Sequence, residues 1–535
     1  MLVPVMCCLA IAAAVPIRAD EARPEAVLTL NVAQQGAPIS PLIYSGDQEL
    51  AHMGWAWTAE DDSYFACFNG EKALPVADLA GRLSPRIVAP LKELDLPLLR
   101  FKGFHRLPGS WRKAVSVIDY ALAFCERIGA ETLWDYGWSP RNFSTADGTV
   151  ASERFSKEDI VALVEYCNST DTRKGMGSLR ADRGHPEPYD VKYWNIGDEA
   201  WHFSKHYFPD RDYTAEYGRD IVEWSRAMRK ASPIPIFIGA DLSRWLTDWN
   251  PSVIAIAGGA MDFGGDHPVF PGGDAPEGLE PSLAYSATPL QLHRWIADVR
   301  EQVQAAKDAG KMKKDRDVKW GQTEYEIWRD PFDDGSNPRD CDFQSVMTMA
   351  VEMQVLLQEG ALLACYHETF GRRPWALIEA DGKKLGQYHL LDLLIHNFTG
   401  KLLQCNVKGV PTYDAPAFGQ LQQPAKAVPL LAICAAQTKN GDLSFFAINR
   451  SSDRAQSLRL QIDSFWSGPE VKGAAWVLSA PKMTSPPEEM TMTKQEISLT
   501  NAAGDPHRAN LVYEFPPRSI SALRLYGVES AKGSK

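Results

Sequence analysis

Two glutamates stand where strand-forming sequence stops. Val191-Lys-Tyr-Trp-Asn-Ile196 is rich in β-branched and aromatic residues, Gly197 ends the run, and Asp198 and Glu199 follow at once. Val318-Lys-Trp-Gly-Gln-Thr-Glu-Tyr325 repeats the pattern, with Glu324 near its end. Glu326 lies close by and, by alternation, on the same side as Glu324 but further into the loop. Carboxylates at the tips of apolar strands are hard to explain by packing alone. Two carboxyl groups about 5 Å apart can cleave a glycosidic bond with retention of configuration. One attacks the anomeric carbon; the other protonates the leaving oxygen and then activates water. One acid must be neutral and the other ionised near neutral pH, and proximity with partial burial supplies that by raising one pKa.

Strands must bring these acids together. Eight strand-like runs, centred near residues 43, 98, 133, 194, 237, 261, 321 and 363, are mostly separated by segments of helical spacing. The first run is expected over Ile39–Tyr44, ending near Glu49, and the sixth over Ala260–Phe263. An eight-fold β-then-α alternation over some 350 residues predicts an α/β fold, a closed (β/α)₈ TIM barrel. An open doubly wound sheet is the competing architecture, but no GxGxxG turn follows the first strand. A barrel's active face lies at the C-terminal ends of its strands. There the sequence offers Glu49, Arg100, Tyr136, Trp138, Asp198, Glu199, Asp241, His267, Glu324 and His367 or Glu368. Strands four and seven face each other across the mouth, so Glu199 and Glu324 can address one substrate.

After about Gln404 only short alternating runs appear, which predicts a β-sandwich over 405–528 with a frayed tail over 529–535. The barrel then spans 37–404. The run Ala26–Val32 is surplus to the barrel count, and the segment 20–36 is expected to join the sandwich.

The net charge of −12 argues against a nucleic-acid partner. The apolar run Met1–Val15, followed by Ile17-Arg-Ala19, reads as a signal peptide over 1–19 although no basic residue precedes it. No later segment reads as a membrane span, so export to a secreted or periplasmic location is expected. The seven cysteines beyond the leader show no CxxC or zinc spacing, and His367-Glu368 lacks the second histidine of HExxH. No metal and no cofactor is expected. The 16 tryptophans suit either a carbohydrate platform or a core, with more weight on the core; Trp138 is kept as a substrate-binding candidate, although core or rim packing is its stronger reading.

Several stretches resemble the α-L-arabinofuranosidases of glycoside hydrolase family 51 and, more weakly, the β-xylosidases of family 39. They are Ile39-Ser-Pro-Leu-Ile-Tyr44, Leu91-Lys-Glu-Leu94, Leu99-Arg-Phe101, Glu187-Pro-Tyr-Asp-Val-Lys-Tyr-Trp-Asn-Ile-Gly-Asp-Glu199 and Thr323-Glu-Tyr325. Phe446-Ala-Ile-Asn-Arg450 and Ser519-Ile-Ser-Ala-Leu-Arg524 resemble that family's C-terminal sandwich. The resemblance implies Glu199 as acid/base and Glu324 as nucleophile. It implies substrate-binding roles for Glu49, Arg100, Asp198 and His267, with Arg100 bonding the nucleophile. Two departures stand out. The family's Gly-Asn-Glu is Gly197-Asp198-Glu199 here, and an ionised Asp can only accept hydrogen bonds. Its charge is also expected to raise the pKa of Glu199. The family's Arg-Phe-Pro-Gly-Gly is Arg100-Phe-Lys-Gly-Phe104, with Lys102 and Phe104 adding charge and bulk.

The expectation is therefore an exported, retaining, exo-acting α-L-arabinofuranosidase on side chains of plant-type polysaccharides, with an oligo- or polysaccharide partner. The alternatives are another pentosidase, such as a β-xylosidase, or an impaired barrel that binds carbohydrate without turnover.

Overall fold

A computed structural model describes residues 26–527 apart from 59–62, 108–109, 142, 144–154, 245–247, 329–340, 374, 465–469 and 501–507. The leader expected over 1–19 and the tail over 529–535 lie outside the described residues.

Eight parallel strands close into a barrel. In chain order they are Ser45–Glu49, Leu98–Lys102, Glu131–Tyr136, Tyr193–Ile196, Phe237–Asp241, Phe263–Asp266, Lys319–Trp328 and Leu363–His367. Cys365 pairs with Ser45 and Leu363 with Gly321, which closes the ring. Two strands differ from expectation. Pro41–Tyr44 is a 3₁₀ turn, so the first strand starts at Ser45, and the sixth starts at Phe263. Pro41 has no N–H for a ladder and is accommodated at the start of a helical turn.

Period-two alternation writes the barrel interior. Leu98, Leu133, Phe263, Leu363 and Cys365 form an apolar layer low in the barrel with Leu42. Two residues further along their strands, Leu98 is followed by Arg100 and Leu133 by Asp135, and Cys365 is followed by His367. The inward face thus turns from apolar to charged toward the mouth. The outward residues Phe101, Trp134, Trp194 and Ile238 are buried beneath the helices. Helix ends show the usual local chemistry. Ser156 and Asp342 accept hydrogen bonds from Asp159 N and Ser345 N, and Gly129 takes the left-handed conformation that ends the helix Val115–Ile128.

The seventh strand carries a bulge. Ala364 pairs with Gln322 but Tyr366 pairs with Tyr325, so one extra residue is inserted between the two pairs. Thr323 and Glu324 therefore both face the interior, while Tyr325 turns outward to place its hydroxyl against Met353. Unbroken alternation would have sent either Thr323 or Glu324 out of the barrel.

The remaining nine long strands form a single sheet that curls around its own core. Val27–Pro38 lies within it, antiparallel to Lys401–Lys408 and parallel to Gln456–Asp463. Leu28, Leu30, Leu460, Leu511 and Phe445 share that core. The other face, including Cys434, Phe446, Ile448 and Ile520, joins the core that the barrel helices build. Leu443–Asn449 is consequently buried on both faces.

Candidate active site

The structure gathers charge at the C-terminal mouth of the barrel. Arg100 is fully enclosed and engages four carboxylates. Nη1 donates to Asp47 Oδ1 and to Glu324 Oε2, both at 2.9 Å. Nε donates to Asp135 Oδ2 at 2.7 Å, and Nη2 to Asp198 Oδ1 at 3.2 Å. A buried guanidinium is tolerable only with such partners, since removing an ion from water costs several kcal/mol. Burial works against the Arg100 charge, but Asp135, Asp47 and Glu324 outweigh it and hold the group firmly protonated.

Lys102, one alternation further along the strand, sets Nζ on Glu324 Oε2 and lies 3.7 Å from Asp47 Oδ2. Burial would raise the Glu324 pKa, but Lys102, His367, His267 and Arg100 together hold it well below the usual carboxylate range. His367 Nδ1 bonds Asp47 Oδ2 at 2.8 Å and lies 4.0 Å from Glu324 Oε1. The cations crowd one oxygen of Glu324, and Oε1 has the looser surroundings.

Glu199 is set by its backbone. Gly197 adopts φ 133° and Glu199 φ 60°. A Cβ on Gly197 would fall 2.2 Å from Asp241 Oδ2. That same oxygen accepts from Ala200 N at 2.7 Å, and Asp241 Oδ1 accepts from Asn195 Nδ2 at 2.8 Å. Asp241 therefore clamps the turn that carries Glu199, and glycine leaves it room. Burial and the nearby Asp135 push the Asp241 carboxyl above its usual range.

His267 joins the two glutamates. Its Nδ1 lies 3.2 Å from Glu199 Oε1 and 3.7 Å from Glu324 Oε2. The two oxygens therefore cannot be more than about 7 Å apart, the sum of those distances. Nε2 faces Thr323 Oγ1 at 3.1 Å, and Trp201 packs edge-on against the ring. Burial would lower the His267 pKa, but Glu324 and Glu199 raise it above the ordinary histidine value. In return, although burial acts to raise the Glu199 pKa, the His267 hydrogen bond and charge hold it below the usual value.

This corrects the expectation that Asp198 would raise the pKa of Glu199. The Asp198 carboxylate is turned to Arg100 and to His105, whose Nδ1 is 3.6 Å from Oδ2. Burial opposes its ionisation, yet His105, Arg100 and Lys102 hold its own pKa down.

Of the other residues singled out in the sequence, Glu49 is buried at the same mouth, where Arg106 Nε pairs with Oε1 at 2.5 Å and His52 Nδ1 lies 3.8 Å from Oε2. Trp138 is a correction. It is buried away from the cleft, packed on Tyr217 and Phe203, and its Nε1 donates to Asp220. The reason is strand parity: Asp135 faces the interior, and Tyr136 packs outward on Phe155 and Trp224. Asp47, Asp135 and Thr323 are the site residues missed, and counting by twos from Leu133 would have found Asp135. His105, beside Asp198, and Arg244, which lines the cleft and pairs with Asp266, carry no such signal.

Three sets of side chains bring possible metal ligands within 4.8 Å of one another: Asp47, Glu324 and His367; Glu49, His52 and Glu368; and Asp135, Asp198 and His267. In each set a protein cation already sits on a carboxylate: Lys102 on Glu324, Arg106 on Glu49, and Arg100 on Asp135. An ion would have to compete with these, so the donor sets are a poor fit for one. Beside the glutamates opens a cleft of about 580 Å³, within the range of small-ligand pockets and walled in part by Trp201, Tyr207, Trp328 and Gln420.

Residues 105–245 match the family model described as the α-L-arabinofuranosidase 1 domain. The α-L-arabinofuranosidase C of Emericella nidulans is 27% identical over 221 residues, 36% of this chain and 37% of that protein. The intracellular exo-α-(1→5)-L-arabinofuranosidase 1 of Bacillus subtilis is 24% identical over 255 residues, 44% of this chain and 48% of that protein. The matched stretch spans about two fifths of the first curated relatives. Among solved structures, the α-L-arabinofuranosidase of Thermotoga maritima in complex with arabinose superposes with a TM-score of 0.66 at 18% identity, covering 93% of this chain and 99% of that one. The family 51 arabinofuranosidase of Xanthomonas axonopodis pv. citri superposes with a TM-score of 0.70 at 16% identity, covering 94% and 100%. Those similarities establish a shared fold of barrel and sandwich.

Proposed function

We propose that this chain, α-L-arabinofuranosidase-like in its family match and in its fold, is an exported, exo-acting and retaining α-L-arabinofuranosidase on side chains of plant-type polysaccharides. One observation carries the reading: a single histidine, His267, lies within 3.7 Å of both Glu199 and Glu324 at one barrel mouth. A carboxyl separation bounded at about 7 Å suits the 5–5.5 Å of retaining enzymes better than the 6.5–9.5 Å of inverting ones.

In this reading Glu324 is the nucleophile. Its pKa is held well below the usual carboxylate range, and Oε1, 4.0 Å from His367 Nδ1, attacks the anomeric carbon while Arg100 and Lys102 steady Oε2. The glycosidic bond breaks as the glycosyl ester forms, and Glu199 delivers a proton to the departing oxygen. Before substrate binds, the Glu199–His267 hydrogen bond holds that proton, with the His267 pKa raised and the Glu199 pKa lowered by the contact. A sugar filling the cleft displaces water, which favours the neutral pair, so the proton shifts from His267 Nδ1 to Glu199 Oε1. Water then attacks the ester with Glu199 as base, releasing the sugar and regenerating Glu324.

The test is a panel of aryl glycosides, with the anomer first released identified by NMR. Turnover of the α-L-arabinofuranoside with retention, reduced about 10²–10⁴-fold in Glu199→Gln and abolished in Glu324→Gln, is the expected result. Glycan binding without turnover of any glycoside would leave a carbohydrate-binding barrel instead.

A further inference from the structure

The cleft beside Glu199 and Glu324 is not walled by the barrel alone. A hairpin from the second domain, Thr412–Ala415 paired with Ala425–Pro429, carries a tip that reaches the site. The tip is fastened to the barrel. Gln420 N donates to Pro271 O at 2.9 Å, Gln422 N donates to Gln291 Oε1 at 3.1 Å, and the Tyr413 hydroxyl donates to Leu283 O at 2.8 Å. Gly419 has φ 51°, and a Cβ there would fall 2.1 Å from Pro271 O, so the close approach needs glycine.

Gln420 lines the cleft and is only 6% exposed, yet its side-chain carbonyl Oε1 has no hydrogen-bond partner among the described residues. Buried amide oxygens are nearly always paired, because an unpaired one pays the desolvation cost without return. Tyr207, 47% exposed, and Trp328 add aromatic surface to the same cleft. A buried acceptor beside aromatic faces is what a sugar ring satisfies, its hydroxyl donating and its C–H face packing on a ring.

We infer that the hairpin tip forms a subsite for the leaving-group sugar, in which Gln420 Oε1 accepts a hydrogen bond from a hydroxyl of the glycosyl unit being released. This rests on the glycosidase reading above and deepens it: the site is built for a saccharide leaving group, and the second domain supplies part of the specificity.

The experiment compares kcat/KM on an α-(1→5)-linked arabinobiose with that on 4-nitrophenyl α-L-arabinofuranoside. The ratio of the two is expected to fall roughly tenfold in Gln420→Ala, the loss of one hydrogen bond. Gln420→Glu keeps an acceptor oxygen and should restore most of the ratio. Tyr207→Ala, at a half-exposed ring, should move the ratio in the same direction as Gln420→Ala. Equal losses on both substrates, or a ratio that neither Gln420→Ala nor Tyr207→Ala moves, would overturn the inference while leaving the glycosidase reading intact. A wild-type chain that turns over neither substrate would remove that reading and the subsite with it.

Discussion

Lys102 places its ammonium on Oε2 of Glu324, the oxygen that Arg100 also takes. Two cations thereby share one oxygen of the candidate nucleophile. A carboxylate so stabilised is a weaker nucleophile and a better leaving group, which shifts the burden onto the first chemical step. Asp198 bonds the same Arg100 that bonds Glu324, so the two departures from the family pattern meet through one shared partner.

The double substitution Asp198→Asn with Lys102→Pro should therefore raise turnover of an aryl α-L-arabinofuranoside by more than the two single changes combined. Residues in one ion-pair network typically couple by about 0.5–3 kcal/mol. Kinetics of the four proteins in the cycle measure this. Additive effects would mean that Arg100 does not transmit between them.

On the proposed mechanism, the Glu199–His267 pair is expected to set the alkaline limit of activity. His267 has a raised pKa, so the pair keeps its proton until the pH passes that value, above the ordinary 6.5 of histidine. In His267→Asn only the carboxyl of Glu199 remains to hold the proton, and carboxyls release it at lower pH. The alkaline limb of kcat/KM against pH should move downward by one unit or more. A limb that stays in place would assign it to another group.

Glu352 is completely enclosed in the helix Phe343–Gln358, and burial, opposed only in part by Gln322 and Arg244, raises its pKa well above the usual value. A carboxyl that holds its proton when folded and loses it when unfolded costs stability once pH exceeds the unfolded value of about 4.3. Glu352→Gln removes that cost without changing shape. It should raise the thermal unfolding midpoint at pH 7–8, by an amount equivalent to roughly 1–3 kcal/mol, and have little effect near pH 4. A lower midpoint at pH 7–8 would show that the ionised form is the native one.

Gly197→Ala should damage the site more than the fold. The new Cβ would strike Asp241 Oδ2 at a backbone angle that L residues seldom adopt, at a cost of about 1–3 kcal/mol. Relief comes by moving Asp241, which releases Ala200 N and with it the turn of Glu199. Activity should fall at least tenfold while the protein still melts cooperatively; an unchanged kcat would show that the clamp does not position Glu199.

Much of this protein is readable along the chain, because the determining forces are local. The run Tyr193–Ile196 is built of strand formers, Gly197 has to break it, and Asp198 and Glu199 must then stand at a strand tip. Leu98 and Arg100, or Leu133 and Asp135, show by spacing alone which side chains enter a barrel. The eight-fold alternation sets the closed fold, and the short strands after residue 404 set the second domain. Three features belong to the tertiary structure only. The bulge that turns Glu324 inward depends on the register between the seventh and eighth strands, which no single segment encodes. The low pKa of Glu199 depends on His267, 68 residues away, and not on its neighbour Asp198. The cleft wall at Gln420 comes from a hairpin in the other domain. Each is an encounter between segments distant in sequence, and electrostatic coupling and packing act through space, at distances that only closure of the barrel and docking of the curled sheet create.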